Sequence, residues 1–266
     1  MFHPRLLNAN SKIKKRPNTN TYIYGWKKDL IDHRDYNFLL SSSNYTVDKF
    51  LLNLQCPIFD QLNISSCVAN ALSICIMYMY MYKNNNNNNN IDIPSRLFIY
   101  YIARILDNNV NADNGCTFRS AIKAIKNWGS CYEKQWPYIT NNTCIRPHSL
   151  CFSSIPRFNI TRYERLPCLP SSWEHCLSVL KKPFVFGILL YSSFFSSKSG
   201  NIKLPNFNLE TCVGGHALVA TGYDKNRQIL FFQNSWSITW GNKGCGTIPY
   251  QYLTSKYAMA DIWVIY

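Results

Sequence analysis

The chain has 266 residues, enough for one large domain or two small lobes that each bury a core. Its formal net charge of +14 allows an anionic partner without identifying one. No apolar run reaches the roughly 20 residues needed to span a bilayer as a helix, and Met1-Phe2-His3-Pro4 does not open an export signal. No membrane partner is expected.

Residues 1–21 mix Lys, Asn, Pro and Ser with few large apolar side chains, the pattern of a flexible basic arm. Eight Lys and Arg against two Asp in residues 1–34 make this end suited to non-specific contacts with anions. The lead-in that follows carries the aromatic anchors Tyr22, Tyr24, Trp26, Tyr36 and Phe38, suited to packing on a domain. Ser65-Ser66 ahead of the uncharged run at residues 67–82 reads as the start of a buried helix with Cys67 in its first turn. The asparagine tract at 84–90 reads as an exposed loop, because Asn favours turns and competes with helical hydrogen bonds.

Residues 94–106 and 118–128 read as helices, the first with Pro94 at its start and the second ended by Gly129. After Pro156 the pattern changes. Residues 173–180 suggest one more helix, and 183–191, 217–223 and 229–233 suggest strands, with a turn at 224–227. Helices first and strands later predict an α+β fold of two lobes, a helical one over roughly 56–150 and a sheet one over roughly 151–250, with a cleft between them.

A thiol attacks a carbonyl only as thiolate, so it needs an imidazole to hold its proton and a third polar group to orient the ring. Cys67, His216 in Gly214-Gly215-His216, and Asn234 in Asn234-Ser235-Trp236 supply those roles in that order. A first-turn position places Cys67 at the positive end of a helix dipole. With a protonated His216 this is expected to lower the thiol pKa well below its free value. Asn234 would hold the imidazole, and Trp236 would shield that hydrogen bond from water. The remaining histidines are weaker base candidates: His3 in the arm, His33 beside Arg34, and His148 and His175 in loop or surface-helix contexts.

Further ordered blocks surround these residues: Gly25-Trp26, Asp60-Gln61, Cys67-Val68-Ala69-Asn70-Ala71, Leu97-Phe98-Ile99-Tyr100-Tyr101, Trp136-Pro137-Tyr138, Gly222-Tyr223-Asp224, Trp240-Gly241 and Asp261-Ile262-Trp263. Together they make the chain from Tyr22 onward resemble the papain-like cysteine peptidases, most of all the compact members found in prokaryotes and large DNA viruses. The separation of Cys67 and His216, about 150 residues, falls at that family's usual spacing.

The resemblance implies a peptidase domain over 22–266 that hydrolyses peptide bonds through Cys67, His216 and Asn234 and an acyl-enzyme, with endopeptidase action as the default. It makes Gln61, six residues before Cys67, the oxyanion-hole glutamine beside the Cys67 backbone N–H. It also implies a protein or peptide substrate; a monomer is expected, and an N-terminus that does not read as an export signal suggests a cytoplasmic or virion-associated location.

Several positions depart from the family pattern. Ile64 stands where relatives carry a half-cystine, which leaves Cys116 without a mate and favours reduced thiols throughout the eleven cysteines. Leu62, Ser65 and Ser237 replace glycines, and Val68 replaces a common aromatic. Ser237 therefore needs a backbone conformation open to non-glycine residues. No Cys-x-x-Cys pair and no glycine-rich phosphate loop occurs, so neither a metal nor a cofactor is expected. The altered glycines and the positive charge also suit an alternative reading, a weakly active or inactive papain-fold interaction protein with a basic anion-binding surface.

Overall fold

A computed structural model describes residues 24–39, 47–83, 92–153 and 158–266. The basic arm expected at 1–21 and the asparagine loop expected at 84–90 lie outside these residues. In chain order the elements are β1 (Trp26–Lys27), β2 (Lys49–Leu51), α1 (Cys67–Lys83), α2 (Arg96–Leu106), β3 (Cys116–Thr117), α3 (Phe118–Trp128), α4 (Leu150–Ser153), β4 (Tyr163–Arg165), α5 (Pro170–Ser178), β5 (Phe184–Tyr191), β6 (Cys212–Asp224), β7 (Ile229–Gln233), β8 (Cys245–Pro249), α6 (Tyr250–Thr254) and β9 (Asp261–Ile265). No helix among the described residues is long and apolar enough to cross a membrane.

α1 is the axis of the helical half. Its residues 67–79 are all buried, Asn70 and Ser73 included, so this stretch has no solvent face. A helix that is apolar all round belongs in a core, and α1 packs against α2 and α3 on one side and β5 and β6 on the other. α2 starts at Arg96 rather than at Pro94 because Ser95 is its cap: the Ser95 hydroxyl accepts the Phe98 N–H at 3.2 Å. Thr117 caps α3 in the same way through the Ser120 N–H, and Gly129 ends that helix at φ 70°.

The sheet runs in the order β4-β9-β5-β6-β7-β8, with β2 also paired to β6, and its pairs are antiparallel. This is the α+β two-lobe arrangement the chain order of helices and strands predicts. The sheet also recruits β2 from ahead of the helices and β9 from beyond residue 250, outside the span of 151–250 read for it. β6 begins five residues before the expected Ala217, so Gly214 and Gly215 lie inside a strand. Pairing with β5 over eight residues extends it, and that register sets His216 opposite Ile188.

Of the aromatic anchors in the lead-in, Trp26 and Phe38 are buried, whereas Tyr36 is 65% exposed; Tyr22 is outside the described residues. Charged groups hold the next part of this segment down. Asp35 meets Arg119 at 2.6 Å and Arg165 at 3.2 Å, while Arg165 also reaches Asp261 at 3.0 Å. Asp29 accepts from the Arg119 backbone N–H and the Trp263 indole. Burial, then the charge of Asp261, pushes the Asp29 carboxyl well above the usual carboxylate range.

Candidate active site

Cys67 opens α1 at the boundary with the sheet. Its sulfur is faced by the backbone N–H groups of Ala217, Gly25 and Val68 and by its own N–H. Ala217 directly follows His216 on β6, so folding brings the thiol to the strand position next to the imidazole. The His216 Nε2 lies 2.8 Å from Asn234 Oδ1. A carbonyl oxygen only accepts, so Nε2–H is the donor and Nδ1 keeps its lone pair. That nitrogen is buried and makes no hydrogen bond.

Asn234 is fixed by its own backbone. Its N–H donates to Gly244 O at 2.9 Å, and its Oδ1 also accepts the Ser235 N–H at 2.8 Å. Trp236 stacks on His216 with ring centroids 4.5 Å apart, and Phe194, Phe195 and Trp240 pack around the indole. Both members of the His216–Asn234 bond are thereby shut off from water.

Gln61 reaches the same place through pairing between segments. Its N–H donates to Ser235 O at 2.9 Å, and the Ser235 hydroxyl donates to Gln61 Oε1 at 2.9 Å. This turns the amide so that Nε2 faces the chain leading to Cys67, donating to Ile64 O at 3.1 Å. Of the five residues picked out from the sequence, His216, Asn234 and Trp236 are in direct contact, Gln61 is bonded to Ser235 between the last two, and Cys67 lies against the N–H of Ala217, next to His216 on β6, without a hydrogen bond to the imidazole. Ser235 was missed as a holder of Gln61, although it sits inside the Asn234-Ser235-Trp236 block; serine in a loop carries no signal of its own.

Ser237 has φ 70° and Leu62 has φ 53°, so both keep the left-handed backbone that glycine adopts freely. The fold imposes this geometry on L-residues at a cost of roughly 1–2 kcal/mol each. Ser237 N–H donates to Phe59 O at 3.1 Å, one of the bonds that fixes the pairing of this loop with the Gln61 segment.

The electrostatics depart from the expected thiolate. Burial pushes the Cys67 thiol up to about 11, outweighing the surrounding N–H groups, and burial lowers His216 to about 4. At neutral pH both groups are therefore uncharged, and the helix N-terminus does not overcome the loss of water. The sign for His216 follows from linkage. Between about pH 6.5 and 4 the unfolded chain takes a proton that the folded one refuses, so its contribution, present above 6.5, is lost as pH falls. A shift of this size is expected to cost about 2 kcal/mol between pH 7 and 5. Thermal melts at the two pH values should show the difference in the wild type and not in His216→Phe.

Water is excluded by the lead-in segment. Gly25 lies on the nucleophile, its N–H toward the Cys67 sulfur, its carbonyl accepting Cys116 N–H at 2.9 Å, and β1 parallel to β3. Only glycine fits there, since a Cβ would collide with the Ser65 carbonyl. Trp26 fills the space left by the missing side chains of Gly187 and Gly215, and the Tyr24 ring meets Phe195 at 5.7 Å. Cys67 and His216 are consequently 0% exposed. A cavity of about 700 Å³ opens beside the site, lined among others by Asp60, Leu62, Arg96 and Tyr138, and does not reach the sulfur.

All eleven cysteines are free thiols. Among the described residues, no three His, Cys, Asp or Glu side chains gather as a metal-ligand set.

A helical half that presents a thiol to a sheet half carrying an imidazole and its amide partner defines a cysteine hydrolase of the two-lobe type. Residues 56–260 match the papain family cysteine proteases, and the chain belongs to that family. A peptidase C1-like protein of Acanthamoeba polyphaga mimivirus, uncharacterized, is 32% identical over 216 residues, covering 77% of this chain and 68% of its own. Xylellain, a cysteine protease from Xylella fastidiosa, has the same fold at a TM-score of 0.86 and 32% identity, over 96% of this chain and 98% of its own. The procathepsin B S9 of Trypanosoma congolense shares the fold at a TM-score of 0.72 and 14% identity, over 90% and 84% of the two chains.

Proposed function

We propose that this papain-family cysteine peptidase cleaves internal peptide bonds through a Cys67-His216-Asn234 triad and an acyl-enzyme. The observation that carries the reading is the Nδ1 of His216, a buried ring nitrogen with a free lone pair beside the thiol's strand position, its other nitrogen held by Asn234. In this reading His216 takes the thiol proton as Cys67 attacks the scissile carbonyl. The imidazolium then protonates the leaving amine, and water, activated by the same ring, releases the acid. Asn234 keeps the ring aligned, and Trp236 keeps water off that bond. The Gln61 amide and the Cys67 N–H hold the developing oxyanion.

Substrate has to displace the segment at 24–27 before any of this happens, and displacement restores water to both titrating groups. The form described here is accordingly the closed one.

Internally quenched peptides incubated with the reduced protein, with the products mapped by mass, test the reading. Internal cuts support it, whereas release of terminal residues alone would overturn the endopeptidase part. Gln61→Ala is expected to lower kcat by about 10²–10³-fold, the usual loss for one oxyanion donor, with KM little changed.

A further inference from the structure

The two oxyanion donors of the proposed mechanism stand six residues apart on one loop, and a directed line of hydrogen bonds through Tyr138 spans it. Tyr138 donates its hydroxyl proton to Gln61 O at 3.1 Å. A hydroxyl has one proton to give, so the 2.5 Å contact between Tyr138 and Ser66 must run from Ser66 Oγ to the tyrosine oxygen. Ser66 in turn accepts from Asn70 Nδ2 at 2.9 Å on Oγ and at 3.0 Å on its carbonyl.

The orientation of that amide is set one step further out. Arg96 Nη1 donates to Asn70 Oδ1 at 2.9 Å, which leaves Nδ2 facing Ser66. Arg96 is itself held by two bonds to Glu133, at 2.8 and 2.6 Å, and lies between the rings of Phe59 and Tyr138, 4.2 and 3.8 Å from their centroids. Every link is satisfied in one direction only, the arrangement in which buried polar chains reinforce one another. Burial raises the Tyr138 hydroxyl to about 12, so it remains a donor throughout the neutral range.

We propose that Tyr138 is a positioning residue for the oxyanion site, setting Gln61 and the residue before Cys67 at a common distance through its hydroxyl. This rests on the peptidase reading above. Tyr138 touches neither the sulfur nor the imidazole. Its ring packs against the Arg96 guanidinium in the lining of the cavity beside the site, and its hydroxyl bridges the carbonyl of Gln61 to Ser66. A small misplacement of oxyanion donors is costly because their advantage depends on preorganisation.

The test compares Tyr138→Phe with the wild type in three measurements. Peptide hydrolysis should lose about tenfold in kcat with KM within about twofold. Affinity for a peptide aldehyde, whose thiol adduct needs the oxyanion site, should fall by about tenfold. Alkylation of Cys67 by iodoacetamide, which needs no oxyanion, should keep its rate.

Ser66→Ala cuts the same line one link along and should reproduce the split if Tyr138→Phe does not fold. Unchanged kcat and aldehyde affinity would overturn the inference. So would a parallel fall in alkylation, hydrolysis and melting temperature, which would make the role structural. A wild type that neither hydrolyses peptides nor binds the aldehyde would sink the peptidase reading itself, whereas an active wild type indifferent to Tyr138→Phe sinks the positioning role alone.

Discussion

Replacing Cys67 by alanine is expected to lower peptide hydrolysis by at least about 10⁴-fold while the protein keeps its cooperative melt. The side chain is small and wholly buried, so the substitution removes one sulfur and leaves no large cavity. In the proposed mechanism it abolishes the covalent step, which rests on the one sulfur that lies against β6 at Ala217, next to His216 in the chain. The fold places a different thiol against an imidazole: the Cys151 sulfur lies 3.6 Å from both ring nitrogens of His148. That pair sits on α4 and the turn before it, away from Gln61 and Asn234, and the Cys151 sulfur also lies 4.0 Å from Gln135 O. Cys151→Ala is therefore expected to keep full activity. The measurement is kcat/KM on a quenched peptide for both variants, and equal turnover by Cys67→Ala and the wild type would end the assignment of the nucleophile.

Trp26→Ala is expected to speed alkylation of Cys67 by about 10²-fold, because the indole is what seats the segment over the sulfur. Trp26 is 5% exposed, and truncating a buried tryptophan generally costs roughly 3 kcal/mol or more of the state that buries it. That energy corresponds to about a hundredfold change in the open fraction, and only the open form admits a reagent. Gly25→Val approaches the same result by collision, since its side chain has no room against the Ser65 carbonyl. The ion pairs of Asp35 with Arg119 and Arg165 lie further along the chain and should keep the segment attached while residues 24–27 swing away. Labelling rates followed by mass, with circular dichroism to confirm folding, decide the matter; identical rates in all three proteins would show that the segment does not guard the thiol.

The expected α1 start at Cys67 and the bounds of β7 at Ile229–Gln233 match the structure because both depend on local pattern: an apolar run behind two serines, and an apolar stretch after a turn. β6 and β9 were less legible. Glycines at 214 and 215 look like loop until β5 pairs with them, and Asp261–Ile265 becomes a strand by lying between β4 and β5. The helix-start argument for a lowered Cys67 pKa was sound locally and was overruled globally, since a dipole at one helix end is a smaller influence than complete loss of solvent.

By itself the sequence determined which atoms are available for chemistry: a thiol, an imidazole, two amides and an indole, in an order whose residue types and offsets are properties of the chain. Only the tertiary structure decided their condition. It turned the Gln61 amide through Ser235, left Nδ1 of His216 bare, joined Gln61 to Ser66 through Tyr138, and laid Gly25 on the sulfur. Those outcomes depend on contacts between segments far apart in the chain and on the exclusion of water they produce together, which no local pattern of residues encodes.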